Sequence, residues 1–162
     1  MFRLARIVVL YDSLSGNTEK MAFAVAEGIK QFDNVDAVVK KVEKASLDDL
    51  CSADGIIMGS PTYYGQMSGK LKAFIDSSVK IHGKLEGKVG AAFTSAGGTA
   101  TGAETTLLSI VEAMLVHGMI VQGRSDDKHF GATAVGAPQA KERESCKQLG
   151  KKVASLVLKL EK

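Results

Sequence analysis

The chain has 162 residues, 45% of them hydrophobic and 24% charged, with a formal net charge of +3. That length suits one domain, 1–162, with a sizeable buried core, and no apolar run approaches the roughly 20 residues that cross a bilayer. The charge excess lies in residues 141–162, which carry seven Lys or Arg against three Glu, while residues 1–140 carry fourteen basic against fifteen acidic side chains; without interleaved aromatics it reads as a solvated helix face, not a nucleic-acid patch.

The start, Met1-Phe2-Arg3-Leu4-Ala5-Arg6, runs directly into a strand, so a cytoplasmic location is the expectation. Ile7-Val8-Val9-Leu10 is apolar at every position and fits a parallel strand buried on both faces. Met21, Val25, Ile29 and Phe32 then recur at helical spacing. The turn between them, Ser13-Leu14-Ser15-Gly16-Asn17-Thr18, therefore joins the carboxyl end of a strand to the amino end of a helix. Helical N–H groups without internal partners and the helix dipole favour an anion there, and the hydroxyls, the Asn17 amide and the flexible Gly16 add to it. No Lys or Arg lies in the turn, and the nucleotide-triphosphate pattern G-x-x-x-x-G-K-[ST] is absent. On spacing alone, N-capping by the same hydroxyls is the alternative reading.

A second strand fits Val35 to Lys41, with charge flanking Val38 and Val39 as at a sheet edge. Ser46 with Asp49 three residues on resembles a capping box. Gly55 to Ser60 is a third strand, followed by the loop Pro61-Thr62-Tyr63-Tyr64-Gly65-Gln66-Met67-Ser68-Gly69 and a helix carrying Leu71, Phe74 and Ile75. Val89 to Phe93 is a fourth strand, ending in Thr94-Ser95-Ala96-Gly97-Gly98-Thr99. The next helix places Leu107, Ile110, Val111, Met114 and Leu115 on one side and reaches His117-Gly118, where the glycine suits a C-cap. Met119 to Val121 is a fifth strand, and a loop from Asp126 to Pro138 leads to a last helix striped by Leu149, Val153, Leu156, Val157 and Leu160. Cys51 and Cys146 have no metal-ligand spacing and read as reduced structural thiols; no metal is expected. His82 and His129 read as surface residues.

Strands alternating with helices specify a doubly wound parallel α/β sheet, in which ligands sit beyond the carboxyl ends of the strands. Three such ends carry hydroxyls, glycines and a tyrosine pair. The first loop suits a phosphate monoester, the tyrosine faces suit a ring, and the third loop lets a planar edge lie against its main chain. Flavin mononucleotide has that shape.

Ser13-Leu14-Ser15-Gly16-Asn17-Thr18 resembles the [ST]-x-[ST]-G-N-T phosphate motif of flavodoxins at every defined position. Gly59-Ser60-Pro61-Thr62-Tyr63-Tyr64-Gly65-Gln66-Met67-Ser68-Gly69 and the segment to Asp76 resemble the WrbA family of NAD(P)H:quinone oxidoreductases, as do Phe93-Thr94-Ser95, Glu104-Thr105-Thr106, His117-Gly118-Met119 and Phe130-Gly131-Ala132-Thr133. In that family an aromatic followed by Gly-His usually replaces Ser15-Gly16-Asn17, and an inserted segment usually stands where this chain has little between Ser78 and Val89. The resemblance implies a three-layer flavodoxin-like fold, strand order 2-1-3-4-5, with FMN as cofactor. Phosphate contacts would come from Ser13, Leu14, Ser15, Gly16, Asn17 and Thr18, and ring contacts from Pro61, Thr62, Tyr63, Tyr64, Gly65, Thr94, Ser95, Ala96, Gly97, Gly98 and Thr99. His117 matches a histidine near the flavin; its alternative role is to cap its own helix. Tyr64 and His117 are the candidates for acceptor contact or flavin tuning. The implied activity passes electrons from NAD(P)H to a quinone or similar acceptor, with a homo-oligomer as a possible assembly. A flavodoxin-type carrier of single electrons between redox proteins is the alternative, although such carriers commonly present acidic surfaces and this chain outside its last helix is nearly neutral.

Overall fold

The computed structural model describes residues 3–161, so Met1, Phe2 and Lys162 lie outside it. Its elements are β1 (Ala5–Tyr11), α1 (Asn17–Ile29), β2 (Val35–Lys41), α2 (Leu47–Ser52), β3 (Gly55–Pro61), α3 (Gly69–Ser77), β4 (Val89–Ala96), α4 (Ala103–Val116), β5 (Ile120–Val121), β6 (Ala132–Val135) and α5 (Ala140–Leu160). The sheet is parallel in the order β2-β1-β3-β4-β5, with β6 also on β4.

Alternation along β1 divides the core. Ala5, Ile7, Val9 and Tyr11 face α1 and α5, where Met21, Val25, Ile29, Leu149, Val153 and Val157 meet them; Val8 and Leu10 face the opposite layer of Leu50, Leu71, Leu107, Ile110 and Met114. Ile7 to Leu10 are wholly inaccessible, as expected of a strand covered on both sides. The edge position of β2 leaves Val38 and Val39 half-buried. The capping box at Ser46 is formed: the Ser46 hydroxyl accepts from Asp49 N–H and the Asp49 carboxylate accepts from Ser46 N–H. Burial alone would raise the Asp49 carboxyl, but bonds from Lys40, 2.8 Å away, and from Ser46 outweigh it and hold the group below its usual range. Cys51 and Cys146 are free, and burial pushes the Cys146 thiol up to about 12.

Three expectations need correction. The fifth strand is split: β5 pairs with Val89 and Gly90 at the start of β4, β6 pairs with Phe93 to Ala96 at its end, and residues 122–131 leave the sheet in between. The segment expected to be a loop thus contains a sixth strand. Leu115 and Leu160 are exposed, because the apolar stripes of α4 and α5 are narrower than their sequences suggest. Phe32 packs against the core from beyond the end of α1.

Helices α1 and α5 touch backbone to backbone. A Cβ on Gly28 would stand 2.0 Å from the Lys147 carbonyl oxygen, and one on Gly150 would stand 2.1 Å from that of Val25. Neither neighbour is a flexible side chain, so the helices would have to separate. Gly150→Ala is expected to lower unfolding free energy by about 1–3 kcal/mol, through overpacking that outweighs its better helix propensity; a denaturant midpoint equal to or above wild type would contradict the contact.

Candidate functional site

The carboxyl ends of β1, β3 and β4 lie side by side, and short bonds tie their loops together. Asp12 N–H donates to Gly59 O (3.0 Å) and Thr62 N–H donates to Ser95 O (2.8 Å). Thr18 Oγ1 and Ser95 Oγ are 2.7 Å apart, Thr62 Oγ1 and Thr94 Oγ1 2.8 Å, and the Thr94 hydroxyl donates to Ser60 O at 2.6 Å. The loops after β3 and β4 also meet in van der Waals contact, since a Cβ on Gly102 would stand 2.5 Å from Gly65 Cα.

Each loop has a local cause. Gly16 takes a left-handed conformation (φ 92°) as the N-cap of α1, and its N–H donates to Ser13 Oγ at 3.1 Å. The first i→i−4 bond is from Lys20 N–H to Gly16 O (3.1 Å), so the N–H groups of Asn17, Thr18 and Glu19 precede the internal ladder. After β3, Tyr63 and Gln66 exchange two backbone bonds of 3.0 Å around Tyr64 (φ 49°) and Gly65 (φ 75°), a tight turn with both central residues left-handed. Among the described residues the non-glycine positions with positive φ are Tyr64 and Ala100, both in these loops. Backbone strain of this kind, of order 1–3 kcal/mol per residue, gathers at binding sites because the surrounding structure must hold it.

Between the loops lies a cleft of about 270 Å³ lined by Leu14, Ser15, Asn17, Thr18, Pro61, Thr62, Tyr63, Ser95, Ala96, Gly97 and Gly136. Every lining side chain is uncharged. Ten of these eleven residues were expected from the sequence. Ser13 and Gly16 shape the turn from behind, Thr94 is buried beneath it, and Tyr64 and Gly65 form the turn at its rim, with Tyr64 fully exposed. Gly98 and Thr99 lie in the same loop as Gly97 but outside the lining. Gly136 was missed; it follows β6, and its N–H donates to Ala96 O at 2.8 Å. The run Ala132-Thr133-Ala134-Val135-Gly136, mildly alternating and closed by glycine, was the available signal.

His117 does not join this cleft. Helix α4 starts above the end of β4 and runs back along the sheet, so His117, its C-cap, lies near β5 and the start of β4. Ser78 Oγ stands 2.5 Å from Ile75 O, which can only accept, so the hydroxyl proton points there and His117 Nε2–H donates to Ser78 at 2.7 Å. His117 Nδ1 is left buried without a partner. His117 therefore caps α4 only through its main chain, whose N–H donates to the carbonyl oxygens of Ala113 and Met114. His82 is exposed, with its ring 5.6 Å from that of His117; His129 is exposed and bonds Arg124 O through Nδ1. Among the described residues no three His, Cys, Asp or Glu side chains converge as metal ligands, and no helix is long and apolar enough to cross a membrane.

Comparison with known proteins shows the family and the fold. Residues 32–126 match the family described as NADPH-dependent FMN reductase. A flavodoxin of Aquifex aeolicus is 36% identical, the match covering 95% of this chain and 88% of that one. An NAD(P)H dehydrogenase (quinone) of Archaeoglobus fulgidus is also 36% identical, over 97% of this chain and all of that one. The crystal structure of a flavodoxin, WrbA-like protein from Agrobacterium tumefaciens superposes with a TM-score of 0.83 at 29% identity, over 96% and 98% of the two chains.

Burial, then His82, lowers the pKa of His117 below its ordinary 6.5. The unfolded chain then binds the proton more readily, so the neutral ring's contribution is complete above pH 6.5 and lost as pH falls through the folded value. Lys72, Asp76, Glu112 and His82 line the same groove and are present in both proteins compared. The stability difference between wild type and His117→Gln is expected to shrink as pH drops below 6.5; a constant difference in denaturant unfolding from pH 7.5 to 5 would contradict this.

Proposed function

This chain belongs to the NADPH-dependent FMN reductase family of flavodoxin-like, FMN-binding oxidoreductases, and on that premise we propose that it passes electrons from NAD(P)H through FMN to a quinone or similar planar acceptor. The observation that carries the reading is the uncharged cleft, walled by glycine, hydroxyls and main chain and rimmed by the exposed faces of Tyr63 and Tyr64. A flat neutral molecule can stack there, whereas no charged surface is built into the cleft to dock a protein of opposite sign.

The residues present fit FMN. The N–H groups of Asn17, Thr18 and Glu19 precede the internal ladder at the positive end of the α1 dipole, and Ser15, Asn17 and Thr18 add neutral donors, a set suited to a phosphate monoester. We assign the phosphate to Ser13 through Thr18, and the ring to Thr62, Tyr63 and Tyr64 on one side and Ser95 through Gly97 on the other. Bound there, FMN supplies the acceptance and release of two electrons. The chain's part is to hold the walls still: Thr62 and Ser95 fix each other through main chain, and Thr18 fixes Ser95 through its hydroxyl. Gly97 leaves its main chain open, with nothing within 4 Å of where a Cβ would stand, so backbone N–H groups can meet negative charge growing on a bound ring. Tyr64 is the residue assigned to acceptor contact.

The similarity to flavodoxins, and the uninterrupted phosphate motif, support a second reading as a carrier of single electrons between redox proteins. Anaerobic stopped-flow mixing of the yellow holoprotein with NADH or NADPH separates the two. The reductase is expected to bleach rapidly with at least one nucleotide and recover colour with a soluble quinone. Persistence of the oxidised spectrum with both nucleotides makes it a carrier, and failure to take up FMN at all overturns both.

A further inference from the structure

Among the described residues three helices carry a carboxylate at their third helical position, and two of them use it in the same way. Asp49 of α2 folds back to accept the N–H of Ser46 at 2.9 Å, and Glu142 of α5 accepts that of Gln139 at 3.0 Å. Both residues fill the positive, unpartnered head of their own helix. Glu19 holds the same position in α1, yet it turns elsewhere. Its Oε2 accepts the phenol of Tyr11 at 2.5 Å, and the N–H of Gly16, which a folded-back carboxylate would take, goes to Ser13 Oγ.

Tyr11 is the last residue of β1, buried on the α1 side of the sheet, so its ring is held by the core while its hydroxyl donates to Glu19. Among the described residues no Lys or Arg stands within ion-pair distance of Glu19. The phenol is therefore the group that restrains the carboxylate.

We propose that Tyr11 is a positioning residue for phosphate selection: by tethering Glu19 it keeps α1 from occupying its own anion site, leaving the turn Ser13 to Thr18 open to the FMN phosphate. The proposal rests on the phosphate assignment made above. A carboxylate released onto the head of α1 would compete for the same N–H groups and repel a dianion at hydrogen-bonding range, in a turn that has no cation to offset it. Riboflavin, which lacks the phosphate, would not feel the change.

The full chain, stripped of flavin, is titrated with FMN and with riboflavin as wild type, Tyr11→Phe, Glu19→Gln and the double variant. Tyr11→Phe is expected to weaken FMN about tenfold, as a nearby unit charge acting on a dianion would, while riboflavin is unchanged. The double variant is expected to regain the wild-type FMN-to-riboflavin ratio, because no charge remains to restrain, and Glu19→Gln alone keeps or raises that ratio. An unchanged ratio in Tyr11→Phe overturns the proposal, as does equal weakening of both flavins or failure of Glu19→Gln to rescue. A wild-type chain that binds FMN no better than riboflavin overturns the phosphate assignment and the proposal with it.

Discussion

The mutual fastening of three strand ends is the constraint on which the site depends. A parallel strand buried on both faces must stop at the sheet boundary, and there its polar groups need partners that the ladder no longer supplies. In this chain neighbouring loops supply them: Thr62 N–H to Ser95 O, the Thr94 hydroxyl to Ser60 O, Thr18 to Ser95. The network satisfies the strand ends and at the same time sets the width of the cleft. That is why its wall can be made of small residues without being loose. Tyr64 and Ala100, both left-handed, sit on this fastened base, which can hold backbone strain that a free loop would relax.

Much of this was legible in the sequence because it depends on local rules. Four consecutive apolar residues at Ile7 to Leu10 require cover on both sides, and a turn of Ser, Gly and Asn after them places a helix head at a strand end. Ser46 with Asp49 predicts a capping box of two reciprocal bonds, and both are there. What escaped was set by tertiary pairing. Ala132 to Val135 carries only a weak alternation in its sequence, and it becomes a strand because the end of β4 offers an open edge from Phe93 to Ala96. Gly136 entered the cleft with it. The misplacement of His117 has another origin: its residue type and following glycine mark a helix end correctly, but α4 spans 14 residues, about 21 Å at the helical rise, and leads away from the cleft.

The division of the outer strand separates the part that closes the sheet from the part that reaches the cleft. The first half of the outer position, β5, only closes the bottom of the sheet. The second half, β6, returns after the excursion 122–131 and delivers Gly136 to the cleft, where its N–H bonds Ala96. The excursion is held by its own contacts: Arg124, almost wholly buried, donates to Ser145 O and to Asp126, and His129 bonds back to Arg124 O. A segment with its own anchor can differ in length between relatives while the strand that follows it keeps its register.

The bare contact between α1 and α5 has a consequence for how the chain is made. Gly28 and Gly150 bring two backbones together across more than a hundred residues of sequence, and α5, the 21-residue helix at the far end of the order, is what covers α1 and the inner face of β1. During synthesis β1, α1 and the turn between them emerge first and wait, with Met21, Val25 and Ile29 uncovered. The helix whose head forms the anion-binding turn gains its backing only when Leu149, Val153 and Val157 have left the ribosome. The first part of the site to be translated is thus among the last to become rigid.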